Sequence, residues 1–263
     1  MNILNEIVQS TKEALVLRKR AVPLESIRKQ LETILPPPGF KAALSQAGTH
    51  LIAELKKASP SAGIIRKDFD VPHLAAALAG AGASCLSVLT EEKYFQGRLD
   101  FLDAADAAAG IPLLRKDFIV DEYQIYEAKL HGADAVLLIA ALLTEKQLET
   151  LAGLAVSSRL DVLLEIHDET ELDKISSVPG AVIGINTRNL ENFSIDLEIL
   201  PKLMSRISRD RIVICESGVK DKGDLALMKA SGVKGVLVGT SLMQARDPGR
   251  KAGEFVSFLK NEA

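Results

Sequence analysis

Acidic and basic side chains stand together where a short apolar run of the sequence ends. The segment "LIAELKKASP" (51–60) begins as a buried strand and sets Glu54 and Lys56 two residues apart. In a β-strand this spacing directs both side chains to one face, while the apolar residues take the other. A buried acid and base held side by side shift one another's pKa values, which is how general acids and bases are tuned. The pair therefore indicates acid–base chemistry.

Four further apolar runs end in polar residues of the same kinds. The first polar residue of each run shares its predicted face with an apolar or glycine residue two positions earlier, so the polar groups converge if those faces point inward. A solvated charge is the more common explanation of any single strand end, but five such ends favour one active site. The residues at the four further ends are Lys116, Glu165, Asn186 with Arg188, and Glu216 with Ser217.

A second pattern follows the last two apolar runs. The segments "ESG" (216–218) and "VGTSLM" (238–243) each place a glycine beside a hydroxyl where a strand becomes a loop. Gly218 and Gly239 would let backbone N–H groups approach an anion, and a helix beginning after Gly239 would add its positive end. Either glycine alone is typical of an ordinary turn, whereas the two together favour a phosphate site.

Two aromatic side chains have more than one interpretation. His167 shares a predicted face with Glu165 and is a candidate general base, although a solvated residue at the start of the next helix is favoured. Phe95, in "TEEKYFQG" (90–97), is either a flat wall for an aromatic substrate or a loop anchor, and both alternatives stay open. No cluster of His, Asp and Glu has the spacing of metal ligands, so no metal is expected.

Eight β-like runs alternate with amphipathic helical segments along the chain. They begin at intervals of 20 to 34 residues and are apolar enough to be covered on both faces, which is typical of a parallel sheet. We predict an α/β fold, a closed (β/α)₈ TIM barrel, in which active sites lie at the carboxyl ends of the strands. An open doubly wound sheet is the alternative, but its G-x-G-x-x-G fingerprint is absent. The predicted strands are 50–55, 84–89, 111–116, 134–140, 161–166, 181–186, 211–216 and 234–239.

The sequence ahead of the first strand is predicted to form extra N-terminal helices. Residues 1–47 contain the helical pattern "LESIRKQLETI" (24–34) and a stiff "PPPG" turn (36–39). We expect them to pack on the barrel as an extension, so that residues 1–263 form one domain.

Composition excludes several classes of protein. The 263 residues are 47% hydrophobic and 25% charged, which is typical of a globular protein with a large core. The net charge of −3 argues against nucleic acid as a partner, and no apolar run is long enough for a membrane span or a signal peptide. Cys85 and Cys215, each within an apolar run, are expected to be buried free thiols. A cytoplasmic location is expected.

The strand ends resemble those of the indole-3-glycerol phosphate synthase family of tryptophan biosynthesis. The resemblance spans the chain, including the N-terminal helices and "PPPGF". It implies an enzyme that closes the indole ring of 1-(2-carboxyphenylamino)-1-deoxyribulose 5-phosphate with loss of CO₂ and water. The motifs that carry it are "IAELKKASPS" (52–61), "SVLTEEKYFQG" (87–97), "PLLRKDFI" (112–119), "GADAVLLI" (132–139), "LLEIH" (163–167), "IGINTRNL" (183–190), "ESG" and "VGTSLM".

The resemblance also implies a role for each polar residue. Lys116 would be the principal general acid and Glu165 the general base of the dehydration half-reaction. Lys56, held by Glu54, would assist proton transfer and meet the carboxylate or phosphate of the substrate. Asn186 and Glu216 would orient substrate hydroxyls, and Arg188 would support the site electrostatically.

The remaining expectations concern binding. No cofactor is expected, because decarboxylation restores aromaticity without an electron sink. The partner implied is a phosphorylated small molecule, with no nucleic acid, no membrane and no obligate protein partner. The residues expected to hold the phosphate are Lys56, Ser59, Gly218, Gly239 and Thr240. Those expected to contact the rest of the substrate are Ser59, Pro60, Phe95, Phe118, Leu137, Arg188, Leu190, Ser217 and Leu237.

Two rival functions share the predicted barrel. Phosphoribosylanthranilate isomerase would need a Cys/Asp acid–base pair, which Glu54 and Lys56 do not supply. A non-catalytic barrel that only binds a phosphorylated ligand is disfavoured by the intact Lys116 and Glu165.

Overall fold

The chain folds into a closed barrel of eight parallel strands. The computed structural model describes residues 3–31, 39–189 and 194–260. Each strand pairs with its neighbours in sequence, and the last strand pairs with the first, which confirms the (β/α)₈ prediction and makes the open-sheet alternative wrong. No predicted strand end differs from the observed one by more than two residues. The strands are β1 (His50–Leu55), β2 (Cys85–Leu89), β3 (Leu113–Lys116), β4 (Ala135–Ile139), β5 (Asp161–Ile166), β6 (Val182–Asn186), β7 (Val213–Glu216) and β8 (Gly235–Val238).

An α-helix or a 3₁₀ helix connects each strand to the next, and three α-helices precede the first strand. Three smaller elements are a hairpin of Ala58–Ser59 with Gly63–Ile64 and 3₁₀ helices at Ala140–Leu142 and Glu169–Ser177. The α-helices are α1 (Ile3–Ala21), α2 (Leu24–Leu31), α3 (Phe40–Leu44), α4 (Val71–Gly80), α5 (Asp100–Ala109), α6 (Glu122–Leu130), α7 (Glu145–Ser157), α8 (Ile199–Met204), α9 (Lys222–Ala230), α10 (Thr240–Met243) and α11 (Pro248–Lys260). Among these helices, none is long and apolar enough to cross a membrane.

Alternation along the strands separates two apolar layers. Outward-facing side chains such as Leu51 and Ala53 pack against the helices, whereas inward-facing ones fill the barrel. Each of four inward-facing residues stands two positions before a charged residue of the predicted site, so the charged side chain continues the inner face at the carboxyl end. These interior residues are Ile52, Leu114, Leu163 and Ile214.

The amino-terminal end of the barrel is closed by α3. Phe40 and Leu44 are fully buried and belong to the same cluster as the barrel interior. The backbone N–H of Lys41 donates to Asp161 Oδ2 at 2.7 Å, which ties α3 to the start of β5. Since this end is filled, a ligand must enter from the opposite end.

The N-terminal helices pack on α6. Leu15 of α1 and Ile27 of α2 form a buried cluster with Tyr123. The Tyr123 hydroxyl donates to the carbonyl of Val22 at 2.8 Å, in the turn between α1 and α2. The described residues of α1 and α2 therefore contact helix α6, and residues 32–38, which include most of the "PPPG" turn, lie outside the described residues.

Candidate active site

A cavity of about 590 Å³ opens at the carboxyl ends of the strands. Every predicted site residue that the structure describes lines it, and Leu190 lies outside the described residues. The predicted lining residues are Glu54, Lys56, Ser59, Pro60, Phe95, Lys116, Phe118, Leu137, Glu165, Asn186, Arg188, Glu216, Ser217, Gly218, Leu237, Gly239 and Thr240. The convergence predicted from strand parity is therefore observed.

Among the residues that line this cavity, Lys116 lies between two buried carboxylates, those of Glu165 and Glu216. Its Nζ lies 2.8 Å from Glu165 Oε2 and 3.3 Å from Glu216 Oε2. Asn186 Nδ2 donates to the other oxygen of Glu165, Oε1, at 3.0 Å. The three strands β3, β5 and β7 thus place one ammonium and two carboxylates within contact distance.

The charges of this cluster set the protonation states of its members. Burial alone would lower the pKa of Lys116, but Glu165, Glu216 and Glu54 outweigh it and raise that pKa well above its usual value. Burial raises the pKa of Glu216 to about 7, with the Glu165 charge adding to the effect of burial and the Lys116 charge opposing it. Burial would also raise the pKa of Glu165, but the Lys116 charge and the contact with His167 hold it below its usual range. Near neutral pH, Lys116 is therefore protonated and Glu165 is ionised.

Two glycines leave the room that the carboxylates occupy. Glu54 and Lys56 form an ion pair, with 2.5 Å between Lys56 Nζ and Glu54 Oε2. A Cβ on Gly239 would overlap Glu54 Oε2, and a Cβ on Gly184 would overlap Glu216 Oε1. Sequence reasoning missed this role of Gly184, because the overlap arises only when neighbouring strands are brought together.

The predicted phosphate corner lies where β7 and β8 end. Ser217 and Gly218 both have left-handed backbone conformations, with φ of 68° and 88°. Such a turn is unstrained for glycine and uncommon for serine. The helix predicted after Gly239 is α10, which begins at Thr240. Six polar side chains that were not predicted also line the cavity, namely Ser61, Asp117, Lys220, Ser241, Gln244 and Lys251.

Two phenylalanine rings line another part of the cavity. The ring centroids of Phe95 and Phe118 are 6.0 Å apart, and the rings are tilted by 38°. The backbone carbonyl of Phe95 also accepts a hydrogen bond from the N–H of Ala58 at 3.2 Å. Phe95 therefore matches both open interpretations, since its ring lines the cavity and its backbone joins two loops.

The expectation that His167 is solvated is wrong. Its side chain is only 13% exposed, because the 3₁₀ helix that follows folds back and places Glu171 beside the ring. Nε2 of His167 lies 3.1 Å from Glu165 Oε1, and Nδ1 lies 3.6 Å from Glu171 Oε2. The predicted position just before a helix is correct, since Asp168 is the N-cap. His167 thus sits behind the candidate base without lining the cavity.

The two cysteines, which were the other candidate reactive groups, do not line the cavity. Cys85 and Cys215 are buried, as predicted, and are not paired in a disulfide. Burial, aided by the charge of Glu216, raises the pKa of the Cys215 thiol to about 12, so it stays protonated. Over residues 3–31, 39–189 and 194–260, no group of three or more His, Cys, Asp and Glu side chains is arranged to hold a metal ion.

Known proteins resemble this chain in sequence over nearly its whole length. Residues 4–255 match the family described as indole-3-glycerol phosphate synthase. A protein of that name from Acidithiobacillus ferrooxidans is 43% identical over 252 residues, covering 94% of this chain and 96% of its own. Another from Polaromonas naphthalenivorans is 40% identical, with the same coverage of both chains.

Solved structures show the same fold in more distant proteins. KGPDC from Streptococcus mutans has a TM-score of 0.63 at 13% identity, covering 81% of this chain and 98% of its own. Thiamine phosphate pyrophosphorylase from Pyrococcus furiosus has a TM-score of 0.60 at 16% identity, covering 81% and 95%. These likenesses concern the barrel alone, whereas the full-length sequence matches concern the family. The chain belongs to the indole-3-glycerol phosphate synthase family.

Proposed function

We propose that the ring of polar side chains at the barrel mouth carries out the reaction of the indole-3-glycerol phosphate synthase family. Membership of this family makes the chain a carboxy-lyase of tryptophan biosynthesis that acts on a phosphorylated small molecule. The substrate is 1-(2-carboxyphenylamino)-1-deoxyribulose 5-phosphate. A ring carbon attacks the ketone carbon, CO₂ leaves, and loss of the resulting hydroxyl as water gives indole-3-glycerol phosphate.

The observation that carries the proposal is the position of Lys116 between Glu165 and Glu216. The ammonium faces the cavity, and the carboxylates keep it protonated, so it can deliver a proton to the ketone oxygen as the carbon–carbon bond forms. Glu165 stays ionised and takes the proton that is released on the way to water loss. Acid and base are therefore already paired before substrate binds.

The neighbouring polar groups orient the substrate around this pair. Lys56, held by Glu54 at 2.5 Å, is a second cation of the ring and meets the carboxylate or phosphate. Asn186 and Glu216 contact substrate hydroxyls, and Glu216, with a pKa of about 7, can act as donor or acceptor. Arg188 adds positive charge at the rim.

The two remaining parts of the cavity accommodate the ends of the substrate. The Ser217–Gly218 turn and the start of α10 supply backbone N–H groups and hydroxyls suited to a phosphate, and Ser59 also lines the cavity. The anthranilate ring packs on the apolar side. The residues proposed for that side are Pro60, Phe95, Phe118, Leu137 and Leu237, with Leu190 added from the resemblance. Holding both ends presses the reacting carbons together.

Three further expectations complete the proposal. The chain acts as one domain of residues 1–263, with 1–47 as an extension of the barrel. It works in the cytoplasm. It needs no cofactor, nucleic acid, membrane or obligate protein partner.

The roles of Lys116 and Glu165 are tested by variants that should fail differently. Lys116→Met removes the acid, so kcat should fall by about 10²–10⁴-fold while KM changes little. Glu165→Gln keeps the shape and removes the base, so decarboxylation should outrun indole formation in a single turnover. Quenched-flow measurement of labelled CO₂ beside indole fluorescence separates the two steps.

The matched controls are Lys67→Met and Glu92→Gln, which remove exposed charges outside the cavity and should leave both signals unchanged. If Lys116→Met keeps the wild-type kcat, the acid is another group, and Lys56 is the first candidate. If CO₂ and indole signals fall together in Glu165→Gln, the base acts before decarboxylation. Absence of any turnover by the wild-type protein would leave only the ligand-binding alternative.

A further inference from the structure

We propose that His167 and Glu171 are positioning residues that hold the base Glu165 ionised and fixed in orientation from behind the cavity. This inference rests on the proposed role of Glu165. His167 does not line the cavity, so it acts through Glu165 and touches no substrate. The pair would support catalysis from the side of Glu165 that faces away from the cavity.

The geometry places His167 between two carboxylates. Nε2 is 3.1 Å from Glu165 Oε1, and Nδ1 is 3.6 Å from Glu171 Oε2. Neither ring nitrogen is exposed to solvent, and neither contact meets the geometric criteria of a hydrogen bond, so each is an ion pair when the imidazole is protonated. A buried imidazole with a carboxylate on each side is stabilised as the cation.

Glu171 is itself fixed. Its Oε2 accepts the backbone N–H of His167 at 2.7 Å, which closes a tight loop between β5 and the 3₁₀ helix. Lys174 anchors the same 3₁₀ helix by donating to the carbonyls of Ala140 and Leu143 at 2.6 and 3.0 Å. The helix therefore holds Glu171, and through it the imidazole, at a fixed distance from Glu165.

Charged and polar groups of several elements determine the state of this pair. Glu165 from β5 and Glu171 from the 3₁₀ helix face the imidazole directly, while Lys116 from β3 and Asn186 from β6 face the far side of Glu165. Burial alone would lower the pKa of His167, but the two carboxylates outweigh it and raise that pKa to about 10. His167 is therefore a cation at neutral pH.

The consequence for catalysis follows from the contacts of Glu165. Lys116 contacts Oε2, whereas Asn186 and His167 contact Oε1, so both oxygens have a donor before substrate arrives. A carboxylate between two cations has a depressed pKa and a restricted side chain. Without the charge of His167, Glu165 would titrate at higher pH, and its orientation would depend on Asn186 and Lys116 alone.

The first test is the pH profile of His167→Gln, which keeps a neutral donor and removes the charge. The acidic limb of kcat/KM should move up by about one pH unit, because an ion pair of this kind shifts a carboxylate pKa by one unit or more. KM at pH 8 should change less than twofold, since the substrate is not touched. His131→Gln is the matched control, because His131 also pairs with a carboxylate, Asp103, at 2.7 Å, and lies outside the cavity.

Glu171→Gln gives a second, independent readout. It keeps an oxygen for the His167 N–H and removes the outer charge, so the imidazole should lose its proton at lower pH. Titration followed by NMR of ¹⁵N-labelled histidine should show this shift, and the alkaline limb of kcat should shift in the same direction. If His167→Gln fails to fold by circular dichroism, this variant decides the question alone.

The outcomes separate this inference from the proposed function. An unchanged acidic limb in folded His167→Gln, or unchanged histidine titration and alkaline limb in Glu171→Gln, overturns the positioning role. If Glu165→Gln is inactive while those profiles are unchanged, Glu165 is the base without help from His167. If Glu165→Gln is fully active, the proposed base itself is wrong.

Discussion

Glycine at position 184 determines whether Glu216 can occupy its place in the ring. A Cβ on Gly184 would overlap Glu216 Oε1 and come within 3.1 Å of Leu163 Cδ1. We expect Gly184→Ala to push the carboxylate away from Lys116 and to lower kcat by about tenfold or more, a loss of roughly 1.4 kcal/mol. Steady-state kinetics with circular dichroism as a check on folding measures this effect.

Gly153→Ala is the matched control for that substitution. Gly153 lies inside α7, where nothing stands within 4 Å of an added Cβ. Alanine there should leave kcat unchanged and stabilise the fold by about 0.5–1 kcal/mol, because glycine is the poorer helix former. Equal losses of activity in the two variants would contradict the steric role of Gly184.

The sequence predicts individual residues well where strand alternation alone decides their direction. Lys116, Glu165 and Glu216 each follow an inward-facing apolar residue by two positions, and all three line the cavity. His167 shows the limit of this reasoning, because its burial depends on how a 3₁₀ helix folds back after the strand. Lys251 shows another limit, since it reaches the cavity from the last helix and carries no local signal.

At the scale of elements, the loop after β2 is organised by one buried carboxylate. Glu91 Oε2 accepts the backbone N–H groups of Tyr94 and Phe95 at 2.7 and 2.9 Å, and Oε1 accepts that of Lys93 at 3.1 Å. The Glu91 backbone carbonyl also accepts the N–H of Gly97 at 2.7 Å. The loop that carries the Phe95 ring into the cavity is therefore built around Glu91.

Removal of this carboxylate should weaken substrate binding more than it slows the chemistry. Each hydrogen bond to a charged acceptor contributes about 1.5–3 kcal/mol, so Glu91→Ala should release the loop and raise KM by about tenfold or more. Lys116, the proposed acid, lies on another strand, so kcat should fall by less than threefold. The control is Glu92→Ala, the exposed neighbour. A large loss of kcat with unchanged KM would show that Phe95 does not hold the ground-state substrate.

Elements with a strong local pattern were predictable, whatever their length. The eight strands have only four to six residues, but each is an apolar run buried on both faces. The hairpin of Ala58–Ser59 with Gly63–Ile64 and the helix α8 were not predicted. Their formation depends on contacts with the rest of the molecule, which local sequence does not reveal.

At the scale of the whole molecule, the barrel alone does not determine the reaction. Proteins with TM-scores of 0.60 and 0.63 to this chain carry other names and share only 16% and 13% of its residues. The spacing of the polar residues and their alternation along the strands predict a cluster of acidic and basic side chains, with a phosphate site beside it, at one end of this barrel. The substrate followed from the resemblance of the motifs, because the identity of an anthranilate derivative is not encoded in the position of any one side chain.

The end of the barrel opposite the cavity contains a buried acid that should affect stability and not activity. Asp134 precedes β4, and its Oδ2 accepts the backbone N–H of Leu113 at 2.8 Å, while Oδ1 has no hydrogen-bond partner. Burial raises the pKa of Asp134 to about 7, and the nearby charges of Asp106 and Asp161 add to the increase. Because this folded pKa lies above that of the unfolded chain, ionisation of Asp134 disfavours the folded state. The resulting loss of stability is absent below the pKa of the unfolded carboxyl, grows as the pH rises above that value, and is complete above about pH 7.

Asp134→Asn should therefore stabilise the protein at neutral and alkaline pH and have little effect at low pH. An asparagine keeps an oxygen for the Leu113 N–H and carries no charge, so the free energy of unfolding should rise by about 1–3 kcal/mol at pH 8 and by little at pH 4.5. Urea unfolding at the two pH values measures the difference, and kcat at pH 7.5 should equal that of the wild type. Asp173→Asn removes an exposed carboxylate and should shift stability equally little at both pH values. A gain at pH 8 no larger than that of Asp173→Asn would mean that Asp134 ionises freely in the folded protein.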